Sequence, residues 1–146
     1  MGVDITAARA LQATNGDRWD ALTGLLSRAA FDEALAGEIA RSGRYDRGFT
    51  LVRLSAPAVD DHGLKVVASR LRALLRASDV AARIGDGDLA LLLLESDVHA
   101  GERVSQRLRA ASGVGFGLVS GSAHYPTDAG AADELLRIAD ERTASR

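Results

Sequence analysis

Apolar positions along the chain alternate between helical and strand spacing. Over residues 4–13, Ile5, Ala8 and Leu11 share one helical face and the pattern stops near Asn15-Gly16, which predicts a lead-in helix. Ser27 stands where it can cap a second helix whose apolar residues Phe31, Leu35 and Ile39 recur every four positions, with Gly43 in the place of a C-terminal cap. Residues 49–54 are short, apolar and rich in β-formers, and are expected as a strand. Asp60 or Asp61 opens a helix carrying Leu64, Val67, Leu71 and Leu74 at spacings of three and four. Two apolar runs, 80–84 and 89–94, flank Gly85-Asp86-Gly87-Asp88, and Asp-Gly between apolar runs signals a hairpin. Asp97 then caps a helix with Val98, Val104 and Leu108 facing inward. Val114, Phe116 and Leu118 alternate as a strand, 126–130 form a turn, and Leu135, Leu136 and Ala139 mark a last helix.

Without the flanking helices, the order is strand, helix, strand, strand, helix, strand. That is the split βαβ arrangement of ferredoxin-like and polymerase-palm domains, an α/β (α+β) fold with a βαββαβ core sheet. No internal repeat or low-complexity linker interrupts it, so the expected division is a lead-in helix over 1–19 and one domain over 20–146. A chain of 146 residues suits a single core, since a domain of that size buries roughly 68–70% of its unfolded surface.

Composition removes several function classes. There are no cysteines, so disulfides and thiolate metal sites are excluded, as suits a reducing compartment. The longest apolar run, residues 89–94, is six residues, far short of the ~20 that span a bilayer. These features predict a soluble, cytoplasmic protein with no membrane partner. The 18 basic and 20 acidic residues are interspersed, leaving no footprint for a nucleic-acid backbone. Gly113-Val114-Gly115-Phe116-Gly117 precedes a strand instead of following one, so it is read as close helix packing and not as a dinucleotide loop. Lys65 lacks the glycine loop of a P-loop.

Four landmarks, in order, resemble the GGDEF (diguanylate cyclase) family over nearly the whole chain from Asp20 onward. Residues 20–28, DALTGLLSR, are similar to the family's D-x-L-T-G-L-x-N-R, with Ser27 departing from it. Arg83-Ile84-Gly85-Asp86-Gly87-Asp88-Leu89 stands where the family has R-[YL]-G-G-D-E-F. Residues 120–126, SGSAHYP, resemble S-I-G-x-A-x-Y-P, and residues 135–140, LLRIAD, resemble the closing L-L-x-x-A-D helix.

The resemblance implies a degenerate member. Joining two nucleoside triphosphates needs carboxylates that hold divalent metals, which activate the attacking hydroxyl and neutralise the leaving phosphate. The family places these acids at the end of the first strand and at the third letter of the signature, positions that read Ser55 and Gly87 here. Asp86 replaces the signature's second glycine and puts a negative charge where a triphosphate would sit. The family's F-K-x-I-N-D-x-x-G-H-x-x-G-D segment, which reads guanine, is missing between Val59 and Asp60-Asp61-His62-Gly63. Neither a catalytic residue, a cofactor nor a metal site is therefore expected; Asp86 and Asp88, two apart in a hairpin turn, are read as solvated turn formers and not as a substitute metal site with His62.

The resemblance also implies a regulatory site for the family's product, cyclic di-GMP. R-x-x-D ends five residues before the signature, as Arg76-Ala77-Ser78-Asp79 does, and Arg107 matches the arginine supplied by the helix after the hairpin. An arginine fork can grip a phosphate or a guanine Hoogsteen edge, and an aspartate can accept from guanine nitrogens. The bland alternative makes Arg76 a helix-terminal cation, Asp79 a turn residue and Arg107 part of a solvated face. The functional expectation is a catalytically inactive cyclic di-GMP receptor. The competing one is a ligand-independent interaction module with a protein partner or a second copy, docking through the lead-in helix or the apolar first strand. An active cyclase and a structural spacer are the remaining alternatives.

Overall fold

The computed structural model describes residues 18–45, 47–112 and 117–144. The elements in chain order are α1 (Arg28–Tyr45), β1 (Phe49–Ser55), α2 (Asp61–Leu74), β2 (Val80–Arg83), β3 (Asp88–Leu94), α3 (Ala100–Ser112), β4 (Val119–Tyr125) and α4 (Ala132–Ala144). The expected βαββαβ order is present, and the strands form one sheet in the order β2-β3-β1-β4 with every pairing antiparallel. The lead-in helix expected over 4–13 lies outside the described residues.

Strand alternation divides the core into two layers. Phe49 and Leu51 of β1, with Ala90 and Leu92 of β3, face Phe31 and Leu35 of α1 and Leu135 and Ala139 of α4. Val52 and Leu54, with Leu89, Leu91 and Leu93, face Leu64, Val67 and Leu71 of α2 and Leu108 of α3. β1 and β3 are thus buried on both sides, which is why both read as nearly continuous apolar runs and not as a clean alternation. This arrangement corrects one expectation: the first strand lies mid-sheet with Phe49, Leu51, Val52 and Leu54 fully buried, so it offers no apolar surface for docking.

Local chemistry sets most boundaries as expected. Ala30 N donates to Ser27 Oγ at 3.2 Å ahead of α1, and Asp60 caps α2 by accepting from Gly63 N at 2.8 Å. Three boundaries differ. α1 continues through Gly43 to Tyr45, so Gly43 is an interior helix residue packed near the Tyr125 phenol and not a C-terminal cap. Val98 is exposed and precedes α3; Asp97 accepts from His99 N at 2.9 Å, and the inward face begins at Ala100. The last strand is Val119–Tyr125, so Leu118 precedes it, while Val114 and Phe116 lie outside the described residues.

The glycine that close packing demands is also a different one. Gly117 has φ +63° and open space around it, whereas a Cβ on Gly121 would lie 2.3 Å from Thr143 N and 2.5 Å from Ala139 O of α4. Only a glycine lets α4 settle onto β4 at that distance.

Both sheet margins carry further hydrogen bonds. Outside β2, Leu26 N donates to Ala81 O at 3.1 Å and Arg83 N to Leu26 O at 2.8 Å. Outside β4, Asp128 exchanges two bonds with His124, its N donating to His124 O and its Oδ2 accepting from His124 N, both at 2.8 Å. Arg142 grips the Asp128 carboxylate with both Nη atoms at 3.0 Å and donates to Ser122 O at 2.8 Å. The Arg142 hydrogen bond is the main reason that the Asp128 pKa lies below the usual carboxylate value, with burial opposing it and His124 N adding to the lowering.

Two outcomes follow from this packing. Gly121→Ala should lower the unfolding free energy by roughly 1–3 kcal/mol, seen as an earlier urea midpoint at unchanged slope. Because the folded pKa of Asp128 is lowered, its stabilisation is fully present above the unfolded value of about 4 and is lost as pH falls through the folded value. The urea midpoints of the parent and Asp128→Asn should therefore differ at neutral pH and converge in acid.

Candidate functional site

The β2–β3 hairpin has polar chemistry at both ends. At its open end Asp79 is nearly buried, with a side chain 4% exposed. Its Oδ1 accepts from Leu94 N at 3.2 Å, and its Oδ2 accepts from Arg76 N at 3.0 Å and Arg76 Nε at 3.4 Å. Arg76 Nη2 donates to Asp79 Oδ1 at 3.4 Å and also to the Leu94 carbonyl. Asp79 therefore ties the α2–β2 connection to the end of β3, and the Arg76 side chain, 59% exposed, is held at the surface.

Arg107 projects from α3 into the same open pocket of about 320 Å³. It is exposed and has no hydrogen-bond or ion-pair partner among the described residues. The fold thus brings Arg76 and Asp79 of the α2–β2 connection and Arg107 of α3 to one cavity. Arg103, one turn before Arg107, lines it too and donates to Asp97 Oδ1 at 3.1 Å.

The floor of the pocket is the β3–α3 connection. Glu95 adopts φ +49° there and pairs with Arg47. His124 Nε2 lies 2.7 Å from Ser96 O and Nδ1 3.0 Å from Thr127 Oγ1; since a carbonyl only accepts, Nε2 carries the proton. Thr50 Oγ1 donates to Asp97 O at 2.9 Å, so β1 and β4 both anchor the loop. The Asp97 carboxylate is held below its ordinary pKa chiefly by the His99 N–H, with desolvation opposing and Arg103 adding to the lowering.

The turn end is built differently. Ile84 N donates to Asp88 O at 2.9 Å, closing a loop of Gly85, Asp86 and Gly87 in which neither glycine has a left-handed φ. Gly87 is needed for close approach: a Cβ there would meet Ala56 O at 2.7 Å, and Ala56 N donates to Gly87 O at 2.8 Å. Arg83 donates to the carbonyls of Gly85 and Asp86, each at 3.1 Å, and bridges to Asp20 Oδ1 at 3.2 Å. Burial raises the Asp20 pKa, but the Thr23 hydrogen bonds and Arg83 outweigh it and leave it lowered. Leu89 is buried in the core and Asp86 is exposed.

Ser55, at the end of β1, is in register with Asp88. Arg53, two residues earlier on the same face, lies 3.6 Å from Asp88 and also pairs with Asp140 of α4. Its side chain is only 14% exposed and its Nε is buried with no partner. Burial lowers the Arg53 pKa, with Asp88 opposing and the charge of Arg28 adding to the effect. Sequence reasoning missed Arg53 and Arg103. A lone arginine inside an apolar strand was a signal for the first; the second pairs across a turn, outside any helical spacing.

The sequence model for the diguanylate cyclase GGDEF domain matches residues 58–145. The chain belongs to the GGDEF-domain family. It is 38% identical over 103 residues to the diguanylate cyclase DgcP of Pseudomonas aeruginosa, an alignment covering 63% of this chain and 15% of DgcP. It is also 30% identical over 142 residues to the cyclic di-GMP phosphodiesterase NbdA of the same organism, covering 84% of this chain and 18% of NbdA. The chain therefore spans less than a fifth of either relative. The coiled coil and GGDEF domain of DgcB from Caulobacter crescentus, solved in complex with c-di-GMP, superposes with a TM-score of 0.77 at 19% identity over 99% of this chain and 87% of that one. At that identity the likeness establishes the fold. No helix among the described residues of this GGDEF domain is long and apolar enough to cross a membrane.

The two halves of the R-x-x-D pair should separate in a stability measurement. Asp79→Ala removes the acceptor of the part-buried Leu94 N–H and of Arg76 N and should cost about 1–3 kcal/mol, whereas Arg76→Ala, at an exposed position, should stay within about 0.5 kcal/mol of the parent. Urea unfolding of both variants is the check.

Proposed function

We propose that this GGDEF domain is a catalytically inactive receptor for cyclic di-GMP, bound by Arg76, Asp79 and Arg107. The observation that carries this reading is their convergence on one pocket with the arginines directed outward. Asp79 pre-shapes the loop through Leu94 and Arg76, and its carboxylate reaches guanine N–H groups by exchanging its long contacts to the Arg76 guanidinium for them. The relatives support the ligand class, since one is named for making cyclic di-GMP, one for degrading it, and the DgcB structure contains it.

The absence of catalysis is supported by the turn end of the hairpin, where the residues present do not fit the divalent metals that family chemistry requires. Ser55 is uncharged, Gly87 has no side chain, and the space where one would start is taken by Ala56 O. The carboxylates of Asp88 and Asp140 are engaged by Arg53, a cation supplied by the protein itself. Among the described residues no group of three or more histidine, aspartate or glutamate side chains is placed to hold a metal ion.

One observation favours a second reading, a ligand-independent interaction module. Trp19 is 53% exposed beside an open groove of about 460 Å³ walled by Leu25, Leu26, Leu75 and Val80. Exposed aromatic and aliphatic groups around a groove are a common anchor for a protein partner.

Titration calorimetry separates the readings. The receptor predicts saturable heat with micromolar cyclic di-GMP and an affinity lowered about tenfold or more in both Arg76→Ala and Arg107→Ala. Absence of heat, or equal affinity in both variants, rejects it in favour of the interaction module. In a parallel incubation with GTP and magnesium or manganese no cyclic di-GMP should form, and its appearance would overturn the assignment of inactivity.

A further inference from the structure

The pocket holds a charged pair that the motif does not include. Arg103 lines it together with Arg107, and the two lie four residues apart on α3, the spacing that makes them neighbours on one helix face. Like charges so placed repel, and in this structure only Arg103 is compensated, by one contact from Nη2 to Asp97 Oδ1 at 3.1 Å. Both partners of that contact are more than half exposed, so it is monodentate, hydrated and weakly held. The same Asp97 oxygen already accepts from His99 N at 2.9 Å, and its structural duty at the head of α3 is met without Arg103.

We propose that Arg103 is a fourth ligand-binding residue of the pocket and that Asp97 acts as an internal competitor for it. An anionic ligand entering between Arg103 and Arg107 relieves their mutual repulsion, and its phosphate exchanges the single exposed carboxylate contact for a forked, charge-assisted one. Asp97 thereby holds the affinity below what the three arginines would otherwise reach. The inference rests on the receptor reading given above.

The test is calorimetric titration of the whole chain with cyclic di-GMP. An asparagine side-chain oxygen accepts from a backbone N–H two residues on as an aspartate does, so Asp97→Asn keeps the His99 contact and removes only the competing charge. Its affinity should rise about three- to tenfold. Arg103→Ala should weaken binding by about five- to tenfold, and Asp97→Asn in the Arg103→Ala background should show a clearly smaller gain than it does alone. A change confined to helix stability would move both single variants in the same direction, so opposite signs are the signature of competition. Equal affinity of Arg103→Ala and the parent, while Arg76→Ala loses binding, overturns this inference and leaves the receptor reading intact. No binding by the parent overturns both.

Discussion

Burial of β1 and β3 on both faces is the constraint from which the rest of the architecture follows. Strands covered by helices on either side must have their backbone groups paired with other strands, which the order β2-β3-β1-β4 provides. Polar chemistry is then driven to the strand ends and the connections. β3 runs between those ends, and at about 3.3–3.4 Å per residue its length places them roughly 20 Å apart. The signature turn and the Arg76 pocket are separate sites on one rigid ribbon, so either can change while the other is kept.

The two ends treat cationic charge in opposite ways. Arg53 is withdrawn into the protein and spent on Asp88 and Asp140, a self-contained arrangement with nothing left to offer a ligand. Arg76 and Arg107 stay exposed at the pocket, Arg76 steadied by Asp79, whose carboxylate also accepts from the backbone N–H groups of Arg76 and Leu94. A guanidinium withdrawn from solvent and held by two carboxylates serves the fold; Arg107, exposed beside a formed cavity with no partner among the described residues, is free to serve recognition. That contrast within one molecule adds to the proposal of a receptor without catalysis.

The regular elements were legible where periodicity and capping agree. Asp60 followed by Leu64, Val67 and Leu71 announced α2, and two apolar runs around Asp86-Gly87 announced the hairpin. β4 was displaced in the reading because its residues, Val119 to Tyr125, are mostly small and polar. Gly121 is there to admit α4, and Ser120 and His124 are buried with hydrogen-bond partners, so burial left no hydrophobic trace. Val98 misled for the converse reason, an apolar side chain left in solvent. At the site, the R-x-x-D spacing located Arg76 and Asp79, but their pairing with Leu94 required the hairpin to close. Asp97 with Arg103 was invisible because six residues and a change of backbone direction separate them.

The added hydrogen bonds along the sheet margins limit how copies of this chain can associate. In an antiparallel pair every second residue of an outer strand aims its N–H and C=O away from its neighbour, a ready template for another polypeptide. Leu26 takes up those groups at Ala81 and Arg83, while Asp128 and Arg142 take up those at His124 and Ser122. With both flanks occupied from within the same chain, continuous intermolecular β-sheets are disfavoured, and assembly is directed to side-chain surfaces of the helices and loops.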